Sequence, residues 1–253
     1  MKSTPIKEAL SRVDRANYVL NPANAYMDAP QPIGYSQTIS APHMHSHALE
    51  EMLPSLTKIS RKLQQTQMTT TTTTTTNKKE EDSKNVGFND GTELRILDVG
   101  CGSGYLSAAL GRLVDRGSKG PVHPLVKGRV WGIDVVPELI TLSRNNIMKA
   151  DADLIKSGTV TIALGDGWDG LPSEGPFHAI HVGAAAETFP TRLMMQLYPE
   201  GGVMVIPVGL ENGIQSLYKI ERLRDNDQFD KKDFSFKQLL GVRYVPLVQT
   251  KFP

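Results

Sequence analysis

A doubly wound α/β domain with a mostly parallel sheet is the fold this sequence predicts. Three observations carry the prediction. Apolar, β-prone runs alternate with helical ones from Leu94 onward, a glycine-rich turn joins the first run to the first helix, and an aspartate stands at the end of each of the first three strands. LRILDVG reads as the first strand and Tyr105–Val114 as the helix after it. VWGID is the second strand, followed by a helix over Pro137–Met148. VTIAL, HAIHVG and VMVIPV are further strands, with a helix over Pro190–Leu197 before the last. Near-continuous apolar character marks strands covered on both faces. QSLYKIERL and FKQLLGVRYVPL then read as strands joined by the charged loop Arg224–Lys232, so the sheet is expected to end in an antiparallel pair.

Ahead of this core, residues 1–56 are rich in Pro, His and Gln. Short helices are expected over Pro5–Val13 and from near Ser40, where Leu49, Met52 and Leu53 recur at helical spacing. Residues 57–92 contain eight consecutive threonines, Thr69–Thr76, followed by NKKEEDSKN. Such a composition buries too little apolar surface to offset the entropy of ordering it, so a disordered surface insertion is expected there. Residues 93–253 form the core of a single domain together with 1–56. A second lengthened loop is expected over Gly117–Lys127.

Of the 253 residues, 39% are hydrophobic and 22% charged, with a formal net charge of +1. That balance permits a globular core and provides no field that would draw nucleic acid or an acidic membrane. Cys101 is the only cysteine, which excludes an intramolecular disulfide and fits a reducing compartment. No apolar run approaches the ~18 residues of a membrane span, and the amino end resembles neither signal nor transit peptide. The expected setting is the cytosol, with access to the nucleus, and the expected state a monomer.

Ligands of doubly wound sheets sit beyond the carboxyl ends of the strands. The first strand ends in Asp98-Val99-Gly100-Cys101-Gly102-Ser103-Gly104. A dinucleotide fingerprint needs G-x-G-x-x-G, whereas here the third glycine comes one place early and Tyr105 takes its position. A carboxylate at Asp98 would repel pyrophosphate and attract a cationic amino group. Asp134, beside Val135, could accept hydrogen bonds from both ribose hydroxyls, and Asp166, beside Gly167, from an adenine amino group. Together with Gly100, Gly102 and Gly104, the carboxylates describe a site for adenosine bearing an amino acid, which is S-adenosylmethionine. The competing readings are that the glycines are turn punctuation and the aspartates helix caps.

The chain also resembles a known family. Tyr26–Glu50 (YMDAPQPIGYSQTISAPHMHSHALE), Leu97–Leu106 (LDVGCGSGYL), Gly165–Gly170 (GDGWDG), His178–Ala186 (HVGAAA at its end), Gly201–Gly209 (GGVMVIPVG) and GVRYVPL are similar to protein-L-isoaspartate (D-aspartate) O-methyltransferases. TISAPHMH and VGAAA are the specific segments; the glycine turn alone indicates only the broader Rossmann-like methyltransferase class. The resemblance implies transfer of a methyl group from S-adenosylmethionine, leaving S-adenosylhomocysteine. The acceptor would be the free α-carboxylate of L-isoaspartyl or D-aspartyl residues in damaged proteins and peptides. It also implies that residues 1–56 form part of the active site. Where family members end a motif VPLT, this chain reads Val245-Pro246-Leu247-Val248, and it has a shorter amino end than is usual for the family.

The resemblance assigns Ser40 the task of orienting the carboxylate, against the plainer reading that it caps the following helix. It places Gln37, Thr38, Ile39 and His45 at the cofactor. Val182, Gly183, Ala184 and Ala185 follow a strand with small side chains, which would leave backbone N–H groups open to the substrate; tight packing is the alternative. His43, His45 and His47 alternate, but neither Cys nor Asp lies near, and no metal is expected. Rival readings are a non-catalytic adaptor, a methyltransferase of small molecules or nucleic acid, and an NAD oxidoreductase.

Overall fold

The computed structural model describes residues 2–73, 92–115 and 125–250. The alternation found in the sequence becomes a seven-stranded sheet ordered β5-β4-β3-β6-β7-β8-β9. Its strands are β3 (Leu94–Val99), β4 (Gly128–Asp134), β5 (Val160–Leu164), β6 (Ala179–Val182), β7 (Val203–Val208), β8 (Gln215–Arg222) and β9 (Phe234–Val242). The first five are mutually parallel, and β8 runs antiparallel to both β7 and β9. Between them lie α3 (Tyr105–Val114), α4 (Pro137–Ala150), α5 (Ala152–Lys156) and the short α6 (Thr191–Met194). The expected helix over Pro190–Leu197 is thus confined to one turn. The last expected strand stops at Val242, where the chain leaves the sheet.

Strand parity divides the core. Leu94 and Ile96 face a layer built by α1 (Thr4–Ser11), α2 (Pro42–Thr73), α3 and α4, while Leu97 and Val99 face the opposite layer with Phe177, Ile180 and Met194. Helix α2 corrects the expected insertion. Its apolar stripe Leu49, Met52, Leu56 continues as Ile59 and Leu63, all buried, at spacings of three and four residues. Ser60 Oγ accepts from the Val126 N–H at 2.7 Å. The segment 57–73 is therefore helical because its first half has an apolar face to bury. Residues 74–91 of the expected insertion, and 116–124 of the second long loop, lie outside the described residues.

A hairpin missed in the sequence precedes α2: β1 (Gln31–Gly34) pairs antiparallel with β2 (Gln37–Ile39). Its two turn residues, Tyr35 and Ser36, both have positive φ, at 53° and 56°. The Asn-Gly pair that advertises such a turn is absent, so the sequence carried no sign of it. Among the described residues, no helix is long and apolar enough to cross a membrane.

One buried histidine makes stability acid-sensitive. His178 Nδ1 accepts the Arg95 N–H at 2.9 Å, and burial, then the Arg95 charge, lowers its pKa from 6.5 to about 4. Between those values the unfolded chain binds a proton that the folded chain refuses, so stability falls as pH drops through the window. The loss amounts to about 3 kcal/mol. His178→Asn, whose amide oxygen can replace Nδ1 as acceptor, is expected to lose about 2–3 kcal/mol less than wild type between neutral pH and pH ~4. Urea unfolding at both pH values measures this, and equal losses would refute it.

Candidate active site

The carboxyl ends of β3, β4, β5 and β6 converge with the β1–β2 hairpin and the segment 245–248 around a narrow cleft of about 90 Å³. Gln37, Thr38, Gly100, Gly102, Asp134, Val135, Gly167, Gly183 and Ala184, all expected at the site, line it, with Ile33 and Leu139. A wider cavity of about 600 Å³ adjoins, walled by Asp28–Pro30, Ser40, His43, Glu211 and Leu240–Val245. Thr38, Gly183 and Val245 belong to both walls, so the cavities meet there.

The glycine turn owes its course to backbone geometry. Gly100, Gly102 and Gly104 have φ of 71°, 54° and 83°, a region that side chains strongly disfavour. The N–H groups of Gly100 and Cys101 both donate to the Ile133 carbonyl, at 2.8 and 3.0 Å, tying the turn to the end of β4. Asp134 completes the tie: Oδ2 accepts from Gly102 N at 3.0 Å and Oδ1 from Val136 N at 3.1 Å. Burial raises its pKa, against the lowering effect of the backbone hydrogen bonds from Val136, Gly102 and Val135. Each oxygen retains acceptor capacity toward the cleft. Asp134 is thus both a structural tie and a ligand-facing carboxylate.

The other two strand-end carboxylates stand elsewhere. Asp98 shares the face of Leu94 and Ile96, so its side chain turns beneath α3 and is 1% exposed. Oδ2 accepts from Ser107 Oγ at 2.6 Å, and Oδ1 lies 2.8 Å from Nδ1 of His181, its register partner on β6. Asp166 is occupied by the main chain: Oδ1 accepts from Trp168 N at 2.8 Å and Oδ2 from Thr250 N at 2.6 Å. It pins the carboxyl-terminal segment across the cleft, aided by Trp168 Nε1, which donates to the Leu247 carbonyl at 2.9 Å.

Five further residues expected at the site lie outside the lining of both cavities. Ile39 points into the core with Leu49 and Met52. Gly104 caps α3, and a Cβ there would meet Ser143 at 3.0 Å. Val182 is buried within the sheet. Ala185 is spent on the carboxyl-terminal segment, donating to Val245 O and accepting from Leu247 N, each at 2.8 Å. His45 is buried against Tyr105, with ring centroids 5.1 Å apart; burial, then the Arg15 charge, drives its pKa well below 6.5.

Ser40 lies on the wall of the wide cavity, and the capping alternative has another occupant. Helix α2 begins at Pro42, and Asp28 Oδ1 accepts the His43 N–H at 3.1 Å and faces His43 Nδ1 at 2.7 Å. Tyr244 stands on the same wall, its phenol pKa raised by burial and lowered in part by the nearby Ser40 side chain. Sequence reasoning missed Asp28 and Tyr244, which wall the wide cavity; Val248, noted as a departure from the family pattern, lines the cleft.

The family model for protein-L-isoaspartate(D-aspartate) O-methyltransferase matches residues 1–76 and 85–252. A protein-L-isoaspartate O-methyltransferase of Triticum aestivum is 36% identical over 248 residues, covering 98% of this chain and 85% of the wheat protein. The Caenorhabditis elegans protein of that name is 34% identical, over 95% of this chain and 83% of its own length. Among solved structures, a Plasmodium falciparum protein described as a beta-aspartate methyltransferase (PCMT), crystallised with S-adenosyl-L-homocysteine, superposes with a TM-score of 0.70 at 26% identity. It covers 99% of this chain and 93% of its own. The motifs, the sheet order and these likenesses agree: the chain belongs to the protein-L-isoaspartate(D-aspartate) O-methyltransferase family.

Proposed function

We infer that the protein is a repair methyltransferase that methylates the free α-carboxylate of L-isoaspartyl, and D-aspartyl, residues in damaged proteins and peptides. The observation that carries this reading is the junction of a narrow, glycine-lined cleft with a wide groove at Thr38, Gly183 and Val245, with Asp134 on one side and Ser40 on the other. S-adenosylmethionine supplies, when bound in the cleft, an electrophilic methyl group on a sulfonium. The cleft fits such a ligand chemically: Asp134 offers acceptors for ribose hydroxyls, and positive-φ glycines expose backbone where a side chain would obstruct.

A carboxylate with an ordinary pKa near 4 is already a nucleophile at neutral pH, so the chain need not supply a base. Its task is alignment, which contributes up to ~7–11 kcal/mol in favourable cases. Ser40 donates to one carboxylate oxygen and leaves the other facing the cleft. Because the nucleophile loses its charge as the ester forms, Ser40 acts by orientation more than by stabilising charge. The carboxyl-terminal segment held by Asp166 and Trp168 forms one wall of the cleft.

Labelled methyl transfer to an isoaspartyl peptide, beside its normal aspartyl twin, tests the function. Transfer to the isoaspartyl peptide alone is expected, and equal transfer to both, or to neither, would sink the reading. Ser40→Ala is expected to lower kcat on the order of 10-fold with S-adenosylhomocysteine affinity nearly unchanged. Parallel losses in both would remove the orienting role. Asp134→Ala is expected to weaken S-adenosylhomocysteine binding ~10–100-fold, as loss of hydrogen bonds to a charged acceptor does. Calorimetry showing unchanged affinity would refute the ribose assignment.

A further inference from the structure

The turn Arg15–Tyr18 carries a buried charge with no role in the methyl-transfer reading. Arg15 is 3% exposed. Its Nε donates to the Ala25 carbonyl and its Nη2 to the Ser40 carbonyl, both at 2.8 Å. Nη1 stands 3.5 Å from His45 Nδ1, and Cζ lies 5.3 Å from the centroid of the Tyr105 ring. Asp28 acts on the guanidinium only as a more distant charge. A cation buried among carbonyls, an imidazole and a ring face is costly to desolvate, and stability alone would be served as well by an apolar side chain.

The turn itself is rigid. Asp14 Oδ1 accepts the Ala16 N–H at 3.0 Å, and the Tyr18 hydroxyl donates to Asp151 Oδ2 at 2.8 Å. The Tyr18 and Tyr105 rings pack edge to face at 5.5 Å. One end of the turn is therefore fixed in the core, and the other grips the main chain at Ser40.

We propose that Arg15 is a positioning residue for methyl transfer: its guanidinium fork clamps the Ser40 and Ala25 carbonyls and so aims the Ser40 hydroxyl at the junction of the two cavities. The inference rests on the reading of Ser40 as the orienting group. A planar fork spans two carbonyls at fixed angle, whereas an ammonium on a lysine stem is a point donor that cannot hold the same pair in the same geometry.

A double-mutant cycle on the full chain tests the clamp. Arg15→Lys and Ser40→Ala are each expected to lower kcat on the order of 10-fold, and the double variant to fall no further than Ser40→Ala alone. S-adenosylhomocysteine affinity should stay within about twofold throughout, which separates aiming from general damage to the site. Thermal melts establish folding. If Arg15→Lys does not fold, Arg15→Gln, which keeps amide donors without the charge, takes its place in the cycle. Wild-type kcat in the folded Arg15 variant, or losses that multiply in the double variant, would overturn the clamp. An unchanged kcat in Ser40→Ala would refute the Ser40 reading itself, and a slow Arg15→Lys beside it would show that Arg15 acts by another route.

Discussion

Arg112→Met is expected to destabilise the protein by about 3–5 kcal/mol, the cost of leaving a buried charge without its partner. The Arg112 side chain is fully buried. Its Nε and Nη2 donate to Asp151 Oδ1 at 3.1 and 2.6 Å, Nη2 also donates to Asp153 Oδ1 at 2.7 Å, and Asp115 lies 3.7 Å away. Burial alone would lower the guanidinium pKa; hydrogen bonds to Asp153 and Asp151 outweigh it and raise the value. The arginine is on α3, Asp151 is at the α4–α5 junction, and Tyr18 reaches the same carboxylate from the amino-terminal segment. The network thus joins the amino-terminal segment to the sheet domain. Measured against a typical total of about 5–15 kcal/mol, the expected loss is a large share of stability. Urea unfolding of Arg112→Met reads it, and Arg112→Met/Asp151→Asn is expected to recover part of it, because the orphaned charge is then gone. A loss under ~1 kcal/mol in the single variant would show that the network is not what secures the amino-terminal segment.

The parts of this molecule that were legible in the sequence are those fixed by short-range pattern. Strand VTIAL and helix Tyr105–Val114 were read with their observed ends, since apolar period and flanking glycines determine both. The antiparallel close of the sheet was legible from two strand-like runs with no helix between them. Composition misled at residues 57–66. The threonine tract dominates the composition there, whereas the 49-52-56 stripe continues through the buried Ile59 and Leu63. At the site, position at a strand end marks Asp98, Asp134 and Asp166 alike, but strand parity sets the first apart. Asp98 alternates with Leu94 and Ile96, both core residues, and that parity places its side chain under α3. Asp166 offered no such clue, because its partner Thr250 lies 84 positions along the chain. The same holds for Arg15, whose grip on Ser40 spans 25 positions and joins backbone to side chain, a contact that residue types do not announce.

Gly183→Ala is expected to lower kcat/KM by ~10³ while the protein stays folded. Gly183 closes β6, and its N–H donates to the Val99 carbonyl at 2.8 Å, so the end of β6 lies flush against the end of β3. A Cβ at Gly183 would stand 2.9 Å from Gly100 O and 3.4 Å from Val99 O. Both obstacles are backbone, and no rotamer change relieves them. The β6 end must part from the glycine turn; the turn lines the cleft, and Gly183 lines both the cleft and the groove. Overpacking of this kind costs about 1–3 kcal/mol. Spent on the cleft, it weakens S-adenosylhomocysteine binding ~10–100-fold. A displacement of about 1 Å between methyl donor and carboxylate costs a further ~10² in turnover. The two losses act on different steps, and each has its own measurement: calorimetry with S-adenosylhomocysteine for the first, kcat with an isoaspartyl peptide at saturating donor for the second. Loss of affinity with normal kcat would confine Gly183 to the cofactor side. Loss of neither would mean that the loops part freely, and Gly183 would then not be the wall where the two cavities meet.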